Sequence, residues 1–397
     1  MASRRRFRRE PRYVCVDPTL TIVGASTRAA AQSAVRAGFC VRAGDLFGDV
    51  DLRRLADVSV SANYPADLAD VVTGPQSGAW MYTGALENHP ALVSALAQAR
   101  TLWGNGAAVL RRVRDPLAVA RAFGRHGIAC PKVAVRTDRV APQGRWLAKP
   151  RRSAGGTRIS VWDRAASPGR FRGGRYFQQF VEGDAQAAVY LAAGGRAVLL
   201  GVTRQLVGLD WTGAGGFQYC GSVGPLEPDE AYLEQYTRIG NVLAGEFELT
   251  GLFGVDTIVN GEGVWPVEVN PRFPASAEIL ERATGASVIA WHAAACEEGR
   301  LPVPPRHRGR TFGKAIPFAR TRCVTPQLLR DSARPGLAAA DEPADVPRPG
   351  TVVEPGWPIV TVFAEGGDEA TVIHRLQKRV AAVQAQLVAC PADSHAR

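Results

Sequence analysis

Gly251–Arg272, GLFGVDTIVNGEGVWPVEVNPR, decides how this chain is read. Val255, Thr257 and Val259 alternate with Asp256 and Ile258, the period of a strand. Asn260-Gly261-Glu262-Gly263 is hairpin-turn chemistry. A second strand runs through Val264, Trp265, Val267, Glu268 and Val269 and stops at Asn270-Pro271, because proline lacks the N–H that a ladder needs. Asp256 and Glu268 then stand on adjacent strands among apolar residues. Two carboxylates so placed repel and are costly to desolvate, and a cation between them removes both problems. Mg²⁺ suits the place, since it binds through one or two carboxylates and takes its remaining oxygens from phosphate and water. Asn270 adds an oxygen on the face of Glu268, and Arg272, two residues further, can meet an anion there. The competing reading of the same spacing is a surface hairpin with two solvated acids.

Outward from this hairpin, composition narrows the class. The chain has 397 residues, enough for two or three domains. Its 46% hydrophobic and 21% charged content is that of a soluble globular enzyme, and no apolar run approaches a membrane span. No signal-peptide core follows the N-terminal arginines, so a cytoplasmic protein is expected. Seven cysteines without a CxxC pair argue for a reducing compartment and against a disulfide framework or zinc site. Net charge is +11, and six arginines fall in the first twelve positions. A basic disordered tail explains them without a nucleic-acid partner, because no aromatic stacking pattern accompanies them. Only four of the 48 basic residues are lysine (Lys132, Lys149, Lys314 and Lys378), so each marks a place where a compact ammonium matters.

The N-terminal part opens as a βαβ unit. A strand ends near Val23, Gly24-Ala25-Ser26-Thr27-Arg28 turns into an alanine-rich helix to about Ala37, and FCVRAGD is the next strand. The turn either holds an anion at the helix N-terminus or is a plain turn with Ser26 as cap. Gly74–Pro90 reads as a loop with Trp80 and Tyr82 inside it, and Glu87 and Asn88 lead into a helix. In RWLAKPRRSAGGTRISVW (residues 145–162) a strand ends at Lys149-Pro150. A loop with Ser153, Gly155 and Gly156 follows, whose glycines let backbone N–H groups approach phosphate. No GK[ST] opens a helix, so it is not a Walker loop. Arg175–Gly183 (RYFQQFVEG) is a strand ending at Glu182-Gly183. Ala187–Leu191, Ala197–Gln205 and Gly216–Gly221 are strands of an antiparallel sheet, and Tyr232–Phe247 is an amphipathic helix. A helix with Glu278 and Glu281 follows the hairpin. Composition shifts to Pro, Arg and Ala from about Leu301, and two strands around Pro355-Gly356 precede a helix to about Leu387.

GVD followed twelve residues later by EVNPR, with KP-x-x-S-x-G-G upstream, resembles the ATP-grasp superfamily. The resemblance implies an α/β (α+β) ATP-grasp fold. Its parts would be a basic tail (1–12), an N-terminal Rossmann-like domain (13–108), a lid subdomain (109–183), an antiparallel-sheet catalytic subdomain (184–300) and a small C-terminal domain (301–397). It implies that Asp256, Glu268 and Asn270 hold two Mg²⁺ (or Mn²⁺) on ATP, and that Lys149, Ser153, Gly155 and Gly156 hold phosphates. Gln179, Phe180, Val181 and Glu182 would form the adenine and ribose hinge, and Arg204 and Arg272 would face the γ-phosphoryl group and the acyl phosphate. Ser26, Arg28, Glu87, Asn88 and Glu278 would line the substrate pocket. The departure is in the lid: no lysine precedes Lys132, and Arg114 stands where a second lid lysine is usual.

The implied activity is ATP- and Mg²⁺-dependent joining of a small carboxylate to an amine through an acyl phosphate. A nearer resemblance, to carboxylate–amine ligases and carboligases related to biotin carboxylase, points to glutamate addition in coenzyme biosynthesis, with a homodimer as in many relatives. Two other readings stay open: a carboxylase activating bicarbonate, and a non-enzymatic nucleotide or nucleic-acid binder.

Overall fold

The structure is a computed structural model. It describes residues 19–75, 78–141, 143–163, 174–303, 309–326 and 342–389, so the arginine-rich tail lies outside the described residues. The first layer is a four-stranded parallel sheet in the order Ala56–Val60, Cys40–Asp45, Thr19–Val23, Ala79–Tyr82. The helices Arg28–Arg36, Leu68–Thr73 and Pro90–Ala99 connect or follow its strands, which is the Rossmann-like half expected. Ala79–Tyr82, expected as loop, is instead an edge strand with Trp80 and Tyr82 buried. Four consecutive buried residues carry no alternation by which a strand can be recognised. Thr27, not Ser26, stands at the N-cap of the first helix. The anion that meets that helix end is the protein's own Asp45, which accepts from the Thr27 N–H (2.7 Å) and Oγ1 (2.8 Å).

The middle of the chain forms a small antiparallel sheet, ordered Val133–Ala134, Arg175–Gln179, Trp146–Pro150, Ser160–Val161. The main sheet has seven antiparallel strands: Gly263–Asn270, Gly251–Asn260, Asp184–Ala193, Arg196–Val207, Tyr219–Leu226, Thr311–Ala315 and Val362–Gly366. It joins strands from both sides of residue 300. Pro266 sits in the edge strand of the hairpin, where the register shifts, the kind of position at which a sheet tolerates proline.

One face of the main sheet is covered by the helix Glu230–Phe247, whose Tyr236, Ile239 and Leu243 are buried against Tyr190 and Phe253. On the other face, Leu280 and Ile289 of the helices Ala277–Thr284 and Val288–Glu298 share one apolar cluster with Leu20, Ile22 and Ala31 of the first domain. That shared core seats the parallel sheet against the antiparallel one and fixes the wall between them. Cys40 is disulfide-bonded, contrary to the expectation from cysteine number. Cys130, Cys220 and Cys296 are free thiols.

Candidate active site

A cavity of about 610 Å³, within the range of small-molecule sites, lies where the small sheet, the main sheet and the first domain meet. The hairpin supplies its floor. Asp256 and Glu268 are direct cross-strand partners, so both side chains leave the same face. Asn270 Nδ2 donates to Asp256 Oδ2 (3.2 Å), and Gln205 Nε2 donates to Asp256 Oδ1 (2.9 Å). Burial, and then the charge of Glu268, push the Asp256 carboxyl up to about 6. Burial would raise Glu268 too, but Lys149 and Arg114 outweigh it and hold that carboxylate below its usual range. Arg114 Nη1 donates to Glu268 Oε1 (2.9 Å), and Lys149 Nζ lies 3.9 Å from Oε2.

Lys149 ends a buried strand of the small sheet. Its Nζ donates to Gln178 Oε1 (3.1 Å) and the Val267 carbonyl (3.4 Å), and it stays charged because Tyr176, Glu268 and Asp256 outweigh its burial. Gly155 and Gly156, both at positive φ, line the cavity. A Cβ on Gly156 would stand 1.8 Å from the Phe217 carbonyl oxygen, so only glycine lets the loop come this close. Ser153 is off the main cavity, beside Arg114 in a small side recess of about 50 Å³. Gln179, Phe180 and Val181 line the main cavity where the small sheet meets the main one. Glu182 is not part of that wall. It is solvent-exposed, with Arg145 3.3 Å away.

The structure does not bring Arg204 to this site. In its strand Gln205 faces Asp256, so Arg204 points to the opposite face, where it pairs with Asp184 (2.9 Å) and Glu369. Arg272 does line the cavity. Its Nε donates to Glu87 Oε1 (3.2 Å), Nη1 to the Phe273 carbonyl (3.1 Å) and Nη2 to Asn270 Oδ1 (3.1 Å), which fixes the guanidinium beside the hairpin. Glu87 is thus a buried partner of Arg272 rather than an open contact. Asn88 is a partner of Arg114, whose Nη2 donates to its Oδ1 (3.2 Å).

Ser26 is exposed on the cavity wall. Arg28 also reaches the wall but is saturated. Its Nε donates to Asp345 Oδ1 (3.0 Å), Nη1 to Gln32 (3.2 Å) and Glu278 Oε1, and Nη2 to Glu278 Oε2 (3.2 Å) and Asp345 Oδ2 (2.9 Å). All five guanidinium N–H groups are used, so Arg28 has none left for a substrate. Glu278 is buried behind it, held well below the usual carboxylate range because Arg28 and Lys314 outweigh its burial. Sequence reasoning did not place Gln178, Gln205, Lys314, Asp345 or Thr361 at the site. The rarity of lysine was the available signal for Lys314. Asp345 and Thr361 arrive from the far end of the chain, with no local pattern.

Among the described residues no three His, Cys, Asp or Glu side chains converge as a self-sufficient metal site. Two carboxylates and an amide, with one carboxyl raised by its neighbour, fit an ion that keeps phosphate and water ligands. No helix among the described residues is long and apolar enough to cross a membrane.

A family model for the ATP-grasp domain matches residues 113–276. An uncharacterized protein of Methanocaldococcus jannaschii is 27% identical over 145 residues, 36% of this chain and only 33% of that protein's length. Among solved structures, N5-carboxyaminoimidazole ribonucleotide synthetase from Thermotoga maritima aligns with TM-score 0.65 at 15% identity, covering 93% of this chain and 98% of that one. L-amino acid ligase from Bacillus licheniformis aligns with TM-score 0.65 at 15% identity, covering 94% and 99%. The biotin carboxylase domain of Hydrogenobacter thermophilus 2-oxoglutarate carboxylase, a dimer with MgADP, ADP and bicarbonate, aligns with TM-score 0.70 at 14% identity, covering 93% and 90%. At these identities the likeness establishes the fold.

Proposed function

We propose that the chain, whose residues 113–276 match a model of the ATP-grasp domain, is a Mg²⁺-dependent ligase that uses ATP to join a small carboxylic acid to an amine. One observation carries this reading: Lys149, the Gly155–Gly156 loop, Asp256, Glu268, Asn270 and Arg272 all face one cavity. Lys149 and the loop N–H groups bind the phosphates, and Gln179, Phe180 and Val181 take the base. Asp256, Glu268 and Asn270 would hold Mg²⁺, one ion or two, which when bound neutralises phosphate charge.

A substrate carboxylate oxygen attacks the γ-phosphorus, and the bond to the bridging oxygen of the β-phosphate breaks, giving an acyl phosphate and ADP. The amine lone pair then attacks the acyl carbon. The C–O bond to phosphate breaks, and the surplus protons of the amine leave with phosphate and to solvent. Arg272 faces the developing charge in both steps, and its three fixed hydrogen bonds mean that little reorganisation accompanies them. The protein contributes position and charge rather than a covalent nucleophile.

The test is a thermal shift with Mg-ATP on wild type and Glu268→Ala. At a hundredfold excess over Kd a ligand of the folded state adds about 2.7 kcal/mol. A Mg²⁺-dependent shift in wild type that disappears in Glu268→Ala supports the reading. A wild type that ignores Mg-ATP sinks it. ADP release that needs bicarbonate instead of an organic acid would make the protein a carboxylase.

A further inference from the structure

Apart from the exposed Ser26 hydroxyl, the wall of the cavity built from the first domain, the strand Thr311–Ala315 and the segment around Asp345 has little hydrogen-bonding capacity left. What remains has a definite chemical character. Arg28 has spent all five donors, and Glu278 is buried behind the wall. Lys314 Nζ gives one N–H to the Ala275 carbonyl (2.8 Å) and one to Glu278 Oε2 (2.9 Å). Among the described residues its third N–H has no partner. Asp345 Oδ2 accepts from Arg28 and from Thr361 Oγ1, while Oδ1 accepts from Arg28 alone and keeps a lone pair.

Lys314 and Asp345 both line the cavity, beside the apolar Ile316, Phe273 and Pro274. They belong to one contiguous network, Lys314–Glu278–Arg28–Asp345. Lys314 is one of only four lysines, is buried and stays charged because Glu278 outweighs its desolvation. Asp345 sits at φ 53, in the left-handed region, with its N–H fixed by Asp51 Oδ2 (2.9 Å). Such backbone positions persist where the surroundings over-determine them, often at ligand sites.

We propose that this wall is the acceptor subsite and that the amine substrate is a free amino acid bound as its zwitterion, its carboxylate on the third N–H of Lys314 and its ammonium on Asp345, which takes one ammonium proton so that the nitrogen lone pair is free to attack the acyl carbon. The inference rests on the ligase reading. A ligand with only an anionic group would leave Asp345 facing it without a donor. One with only an amine would leave Lys314 without an acceptor. Ile316, Phe273 and Pro274 would meet the side chain.

The test uses the full-length protein with Mg²⁺ and a non-hydrolysable ATP analogue, titrated by thermal shift with each of the twenty proteinogenic L-amino acids. For every amino acid that binds, the matching deaminated acid and decarboxylated amine are titrated as well. The expected result is at least one amino acid that binds, with each single-charge counterpart weaker by roughly tenfold or more in Kd. Lys314→Met and Asp345→Asn should each weaken that amino acid by roughly tenfold to a hundredfold while still responding to the analogue alone. The response to the analogue is the folding control, and if Lys314→Met fails it, Asp345→Asn decides. Binding of the analogue but of no amino acid overturns the inference and leaves the ligase reading standing, as does unchanged amino-acid affinity in both variants. A wild type that does not bind the analogue overturns the ligase reading, and this inference with it.

Discussion

Glu278→Gln should destabilise the protein by about 3 kcal/mol at neutral pH, because Glu278 is the shared counter-charge of two buried cations. The Glu278, Arg28 and Lys314 side chains are 5%, 3% and 6% exposed. Glutamine keeps the size and one carbonyl acceptor but removes the charge. Lys314 is then left with the Ala275 carbonyl, and Arg28 with Asp345 and, at 3.6 Å, Asp51. Breaking a buried pair by removing one partner costs about 3–5 kcal/mol, and the carboxylates that remain near Arg28 place this case at the lower end. The assay is urea unfolding followed by tryptophan fluorescence.

A pH series adds a sign. Burial raises the Glu278 carboxyl, but Arg28 and Lys314 outweigh it, so its folded pKa lies below the ordinary 4.5. The stability it contributes is therefore fully present above about pH 4.5 and is lost as pH falls further. The difference between wild type and Glu278→Gln should shrink in acid. A loss under about 1 kcal/mol at pH 7, or a difference that does not shrink below pH 4.5, would refute the argument.

Arg204→Ala should leave the Mg-ATP thermal shift within twofold in Kd, since Arg204 lies on the far face with Asp184 and Glu369; a tenfold loss would place it back at the nucleotide. Gly156→Ala should weaken nucleotide binding by tenfold or more on the order of 1–2 kcal/mol of left-handed strain plus collision with the Phe217 carbonyl, measured by the same shift. His292 is buried and neutral, its Nδ1 accepting from the Leu252 N–H (2.9 Å), and burial lowers it to about 4 from 6.5. The unfolded chain binds the proton first, so stability should fall by about 3 kcal/mol as pH drops from 6.5 to 4, and His292→Gln should flatten that slope in urea titrations.

The part of the cavity around the hairpin and the glycine loop was largely legible in the sequence because its signals are local. The alternation around Asp256 and Glu268, the turn between them and the proline after Asn270 define a hairpin within one stretch. A direct cross-strand register then puts both acids on one face. The pairing of a rare lysine with a glycine loop was equally local. Arg204 failed by one residue. The strand Arg196–Val207 carries irregularities between Leu199 and Gly201 and between Val202 and Arg204, and such a shift decides which neighbour faces the floor. Gln205 won that position.

The wall around Lys314 and Asp345 was not legible, because it is assembled from distant parts of the chain. Arg28, Glu278, Lys314 and Asp345 meet only because the apolar cluster joining Leu20 and Ile22 to Leu280 and Ile289 seats the first domain on the main sheet. Sequence reads a residue's type and its local period. Which charges neutralise one another, and which donor is left over, depends on long-range packing. Arg28 read alone is a binding residue, and only the folded chain uses up its five N–H groups and leaves Lys314 and Asp345 facing the cavity.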